Sequence, residues 1–102
     1  MHEEMSSNDV VWAFRADGRI KSIDKGMCIT VEVLVLDRKY FVEFHKVNQI
    51  SFNESVYETI GDSEVEESVL FQKLRVFNLE MTPILEIDYE FCVLLKVSDN
   101  LW

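Results

Sequence analysis

The sequence predicts a mainly β protein: a single-domain antiparallel β-sandwich or curled sheet with at most one short helix, so that an α+β description also stays open. Three observations lead there. Apolar and polar residues alternate with period two in MCITVEVLVL (27–36), YFVEFH (40–45) and LEIDYEF (85–91). Turn-forming residues interrupt these runs at short intervals, at Asp17-Gly18, Lys25-Gly26, Asp37 to Lys39 and Thr82-Pro83. The gaps between runs are too short for the crossover helices that a parallel sheet requires. A chain of 102 residues, 48% of them hydrophobic, forms one domain and has enough apolar material for a packed core.

Residues 1–9 are polar and acidic and read as a lead-in, leaving 10–102 as the β-rich domain. VVWAFRA (10–16) is rich in β-branched and aromatic side chains and reads as a strand. Asp17-Gly18 is a hairpin signal, and RIKSID (19–24) is the return strand. In 27–36, Val31, Val33 and Val35 point to one side, with Glu32, Leu34 and Leu36 on the other. In 40–45, Tyr40, Val42 and Phe44 share a face opposite Phe41, Glu43 and His45, and the apolar rhythm continues through Val47, Ile50 and Phe52. Residues 53–61 read as a helical turn or irregular loop, and DSEVEE (62–67) as a charged loop. SVLFQKLRVFNL (68–79) fits two periods. A capping box at Ser63 and Glu66 would open a helix, whereas the β-branched and aromatic content favours a strand. After Pro83, residues 84–97 read as a hairpin.

Several functional classes are disfavoured by composition. The net charge is −9, which argues against nucleic acid and against an anionic membrane surface, both of which attract Lys and Arg. No apolar run approaches the roughly 20 residues of a membrane helix. The N-terminal MHEEMSSND lacks the basic and apolar regions of a signal peptide, so a cytoplasmic location is expected. Cys28 and Cys92 sit in apolar runs and read as buried free thiols. No CxxC or HxxxH spacing marks a metal site, and no cofactor motif is present.

The charge is segregated along the chain. Glu54, Glu58, Asp62, Glu64, Glu66 and Glu67 lie between Val47 and Gln72 with no Lys or Arg among them, while seven of the ten basic residues fall in 15–46. Glu86, Asp88 and Glu90 occupy every second position of the strand-like 85–91. Side chains two apart on a strand are about 6.6–6.8 Å from each other. Like charges at that spacing repel by about 0.6 kcal/mol in water and by far more when dry. The stripe therefore belongs on the solvated face, with Leu85, Ile87, Tyr89 and Phe91 inward. A hairpin would bring Lys73 and Arg75 opposite Glu86 and Glu90, each pair worth roughly 0.2–1 kcal/mol. Three acids facing two bases still leave an excess that can steer a basic partner.

No nucleophile–base motif, P-loop or glycine-rich cradle is present, so no catalytic residues are assigned. His45 reads as a surface or half-buried structural histidine. Trp12 reads as core. Tyr57, flanked by acids, reads as an interface anchor.

On its order of pieces the chain resembles the small acidic β-rich immunity proteins of bacterial toxin systems, including those of contact-dependent growth inhibition. YFVEFHKVNQISFN (40–53) carries the rhythm apolar-x-F-x-x-V-x-x-I and ends in Phe52-Asn53. VLFQKLRV (69–76) and FCVLLKV (91–97) follow as further strands. The resemblance covers about half the chain. It implies a cytosolic, non-enzymatic inhibitor that binds one cognate toxin domain, often a basic nuclease. The expected partner-binding residues come from the acidic distribution itself: Glu54, Tyr57, Glu58, Asp62, Glu64, Glu66, Glu67, Glu86, Asp88 and Glu90. Two other readings stay open. One is an assembly subunit that docks through exposed apolar positions such as Phe52 and Leu101-Trp102. The other is a small hydrolase built on a carboxylate pair.

Overall fold

The computed structural model describes residues 4–36 and 38–98. In chain order the elements are helix α1 (Ser7–Ala13), β1 (Arg19–Lys25), β2 (Ile29–Val35), β3 (Arg38–His45), β4 (Gln49–Phe52), a 3₁₀ turn (Glu54–Tyr57), β5 (Ile60–Glu67), β6 (Gln72–Asn78), β7 (Pro83–Tyr89) and β8 (Phe91–Ser98). They build two open, antiparallel, four-stranded sheets, ordered β1-β2-β3-β8 and β4-β7-β6-β5. Among the described residues no helix is long and apolar enough to cross a membrane.

Alternation decides what each strand buries. Val31, Val33 and Val35 of β2 and Tyr40, Val42 and Phe44 of β3 point inward from the first sheet. Leu74 and Val76 of β6 with Leu85, Ile87 and Tyr89 of β7 point inward from the second. All belong to one buried cluster. The β2–β3 hairpin closes between Val35 and Arg38, with Leu36 in the left-handed region at φ 56°.

The sheets are joined at a corner. β3 pairs with β8 in one sheet, and β4 pairs with β7 in the other. Thus β3–β4 and β7–β8 form one bent antiparallel ribbon that belongs to both. Lys46, at φ 54°, starts the first crossing, and Glu90 alone makes the second. The two crossings bond to each other: Glu90 N–H donates to the His45 carbonyl at 3.2 Å, and Asn48 N–H to the Asp88 carbonyl at 2.7 Å. Beneath the bend, Tyr89 meets Phe44 edge to face, with ring centroids 4.9 Å apart.

Three expectations change. The 10–16 segment is not a strand, because Val10 to Ala13 lie in α1. Ser6 caps its N-terminus in a reciprocal box with Asp9, each bond 3.2 Å. The buried Val10, Ala13 and Phe14 follow the i, i+3, i+4 spacing of a helix and outweigh β-propensity. Nor is 62–67 a loop; it lies in β5. Ser63 and Val65 take the inward positions there, and the small, hydrogen-bonded Ser63 hides the alternation. Trp12 is half exposed rather than core, stacked under the Arg15 guanidinium at 4.2 Å. In 68–79 the strand reading holds from Gln72, while Val69 and Leu70 sit exposed in the β5–β6 turn.

Gly61 marks a bulge between β5 and β6. A Cβ there would sit 2.3 Å from the Asn78 carbonyl oxygen and 2.9 Å from the Leu79 Cα. The obstacle is backbone, so it cannot swing aside. Gly61→Ala is expected to destabilise the fold by about 1–3 kcal/mol, read from the urea midpoint. The corner makes a second prediction. Burial pushes the Cys92 thiol up to about 12, against an opposing hydrogen bond from Tyr89. Burial likewise raises Tyr89, and the neighbouring Cys92 adds to the rise. Both groups stabilise the fold in their neutral forms. Their contribution is intact below the unfolded thiol's ordinary pKa of about 8.5 and is lost as pH climbs toward the folded values. Urea titrations across that alkaline interval should show a falling midpoint, with a shallower fall in Cys92→Ala.

Candidate functional site

The ten acidic and aromatic residues singled out in the sequence fall into three groups. The first is the outer face of the β4-β7-β6-β5 sheet. Arg75, on β6, has Glu64 of β5 on one side and Glu86 of β7 on the other. Its Nη1 lies 3.1 Å from Glu64 Oε2 and 3.2 Å from Glu66 Oε1, and its Nε lies 3.1 Å from Glu86 Oε2. One repeat along, Lys73 faces Asp88 at 3.6 Å. Desolvation lowers the Arg75 pKa, but the hydrogen bonds it donates to Glu64, Glu66 and Glu86 outweigh it and leave the group above its ordinary value. Four carboxylates thus surround two cations, and two negative charges remain in excess. Asp62, exposed on β5, adds to them and makes no ion pair among the described residues.

The second group lies at the start of β5. Glu54, Tyr57 and Glu58 sit on or beside the 3₁₀ turn, which Asn53 caps and the buried Val56 anchors. Tyr57 is half exposed. The third group lies at the other end of β5, roughly 23 Å away along the strand. There Glu67 and Glu90 line a depression of about 310 Å³ together with Glu4, Ser6 and Gln72. Glu90 also pairs with Lys46 at 3.6 Å.

The stripe 86/88/90 differs from expectation in two ways. It is not wholly solvated, because Asp88 is buried at the corner and held by Lys73. Its partners are also shifted: the hairpin forms, but Lys73 and Arg75 meet Asp88 and Glu86, while Glu90 lies past the end of β7. The molecule's own cations therefore engage Glu64, Glu66, Glu86, Asp88 and Glu90. The described residues show no such ion pair for Glu54, Glu58, Asp62 and Glu67. Phe52 is partly exposed with the Lys25 ammonium over its ring at 4.6 Å. Leu101 and Trp102 lie outside the described residues.

One constellation escaped the sequence reading. Cys28 is not fully buried. It lies on the outer face of the first sheet with its Sγ 3.4 Å from His45 Nδ1. His45 Nε2 lies 2.6 Å from Glu43 Oε1. The signal was in the hairpin register. With Val35 paired to Arg38 and Ile29 to Phe44, the next pair outward is Cys28 with His45. Only Cys92 is the buried thiol expected, and both cysteines are free.

Compared with known proteins, the chain matches no family model, no curated protein and no solved structure.

Removing the central cation should expose the repulsion it masks. Arg75→Met is expected to lower the thermal midpoint, with the deficit shrinking as salt screens Glu64, Glu66 and Glu86 from one another. A deficit independent of salt would assign Arg75 a packing role instead.

Proposed function

We propose that this protein acts by binding, and that its partner is a basic protein domain received on the outer face of the β4-β7-β6-β5 sheet. The observation that carries the reading is the charge excess on that face: four carboxylates held in fixed register around Arg75 and Lys73, with Asp62 beside them. Fixed carboxylates accept charge-assisted hydrogen bonds from an incoming Arg or Lys at little cost in side-chain ordering. A depression on this face, between Gln49, Ser51, Lys73, Glu86 and Asp88, holds only about 40 Å³. Small-molecule sites are typically several times larger.

The net charge of −9 acts over a longer range and favours fast encounter with a cationic surface. The resemblance to immunity proteins narrows the proposed partner to a toxin domain, a basic nuclease in the common case, with the complex formed in the cytoplasm. On this reading Tyr57, Glu54 and Glu58 extend the contact past the start of β5, and Glu67 and Glu90 extend it past the end.

Asp62 and Glu67 can be reversed without breaking a described ion pair. Once the partner is captured and purified, Asp62→Lys/Glu67→Lys should slow its association by about tenfold at low salt and flatten the salt dependence. Asp24→Lys, on the opposite sheet, serves as the charge-matched control for the single Asp62→Lys variant. Equal slowing in the control would reduce the effect to net charge, and unchanged kinetics in the double variant would remove this face from the interface.

A further inference from the structure

Neither the packing of the sheets nor the acidic face accounts for the row Cys28–His45–Glu43. Its three side chains come from one hairpin. Glu43 and His45 are two apart on β3 and so share its outer face, and Cys28 lies across from His45 at the start of β2. The imidazole is fixed on three sides: Cys28 Sγ at 3.4 Å from Nδ1, Glu43 Oε1 at 2.6 Å from Nε2, and the Phe91 ring stacked parallel at 4.7 Å. Phe91 sits directly opposite His45 on β8, just past the corner, so the bend that joins the sheets also seats the ring.

This arrangement suits proton transfer more than chelation. The thiol and the carboxylate meet different ring nitrogens, the pair of contacts that a proton relay uses. One ligand atom from each residue lies within 4.8 Å of the other two, but an ion held there would have to displace the short Glu43–His45 hydrogen bond. With Nε2–H donated to Glu43, Nδ1 is left as the acceptor toward the thiol, the tautomer that a base for Cys28 requires. Glu43 then stabilises the imidazolium that forms. Cys28 is partly exposed and reachable, whereas Cys92 is fully buried.

We propose that Cys28 is an activated thiol that exchanges with small disulfides, with His45 as its base and Glu43 as the positioning residue. The Cys28 proton passes to His45 Nδ1, and the thiolate attacks one sulfur of the incoming disulfide. The substrate's S–S bond breaks as the Cys28 mixed disulfide forms. The departing thiolate takes the proton back from His45, so one disulfide and one thiol are consumed and one of each is produced. The disulfide is the only oxidant required. The attack is in line at sulfur and needs no pair of donors for an oxyanion.

The test uses dithiodipyridine at neutral pH on the intact chain. The native protein should release one rapid equivalent of the coloured leaving group, and peptide mass analysis should place the adduct on Cys28, with Cys92 silent until urea is added. The rapid phase should run about tenfold faster than the thiols of the urea-unfolded chain. His45→Gln should bring it down to the unfolded rate. Folding of that variant is checked by circular dichroism, and the native-to-unfolded comparison needs no variant. A native thiol no faster than the unfolded one, an adduct on Cys92, or an undiminished rate in His45→Gln overturns the proposal.

Discussion

The fold depends on one bent ribbon. β3 runs into β4 and β7 into β8, and the two stay paired as they pass from one sheet to the other. Two backbone hydrogen bonds across the bend, from Glu90 to His45 and from Asn48 to Asp88, hold the crossings together. Without the ribbon's β3–β8 and β4–β7 pairings each sheet would keep only its consecutive hairpins, β1-β2-β3 and β5-β6-β7. Residues that turn up elsewhere as features of interest are set by this bend. Tyr89, Phe44 and Cys92 fill its inner side, and His45, Phe91, Asp88 and Lys46 line or flank its outer side.

Charge follows the same geometry. β5 is an edge strand, and its outward Glu64 and Glu66, with the exposed Asp62, discourage pairing with another chain's edge. That demand alone would place acids there. It does not account for Arg75 being surrounded by three of them from two neighbouring strands. An arrangement that leaves net negative charge in a fixed register of side chains is more than solubility requires, for which mobile and scattered charges suffice.

The two-sheet architecture was legible wherever alternation was clean. Val31, Val33 and Val35 opposite Tyr40, Val42 and Phe44, and the Leu85, Ile87, Tyr89 series, all lie inward as their spacing requires. Legibility failed where two signals competed. In 10–16 the β-branched and aromatic content points to a strand, whereas the Ser6/Asp9 cap and the buried Val10, Ala13 and Phe14 stripe make the helix. In 60–67 polarity masked the strand, because one inward position is a serine. The acidic segregation was visible, but its neutralisation was only half visible: Arg75 finds Glu64 and Glu66 across a strand pair that the reading of 62–67 as a loop had removed. Cys28 and His45 are 17 residues apart and carry no motif. Only strand register joins them, and a sequence scanned for local spacing passes over such pairs.

The corner and the β5–β6 turn differ sharply in what they tolerate. Because strand faces alternate, one residue added beside Glu90 would rotate all of β8 and send Cys92 outward in exchange for its neighbours. The turn at 68–71 obeys no such rule. Its Val69 and Leu70 project into solvent, and the Ser68–Phe71 hydrogen bonds close it locally. A foreign epitope or reporter peptide could be housed there with both flanking strands keeping their phase, whereas lengthening the chain at the bend would scramble the faces of an entire sheet edge.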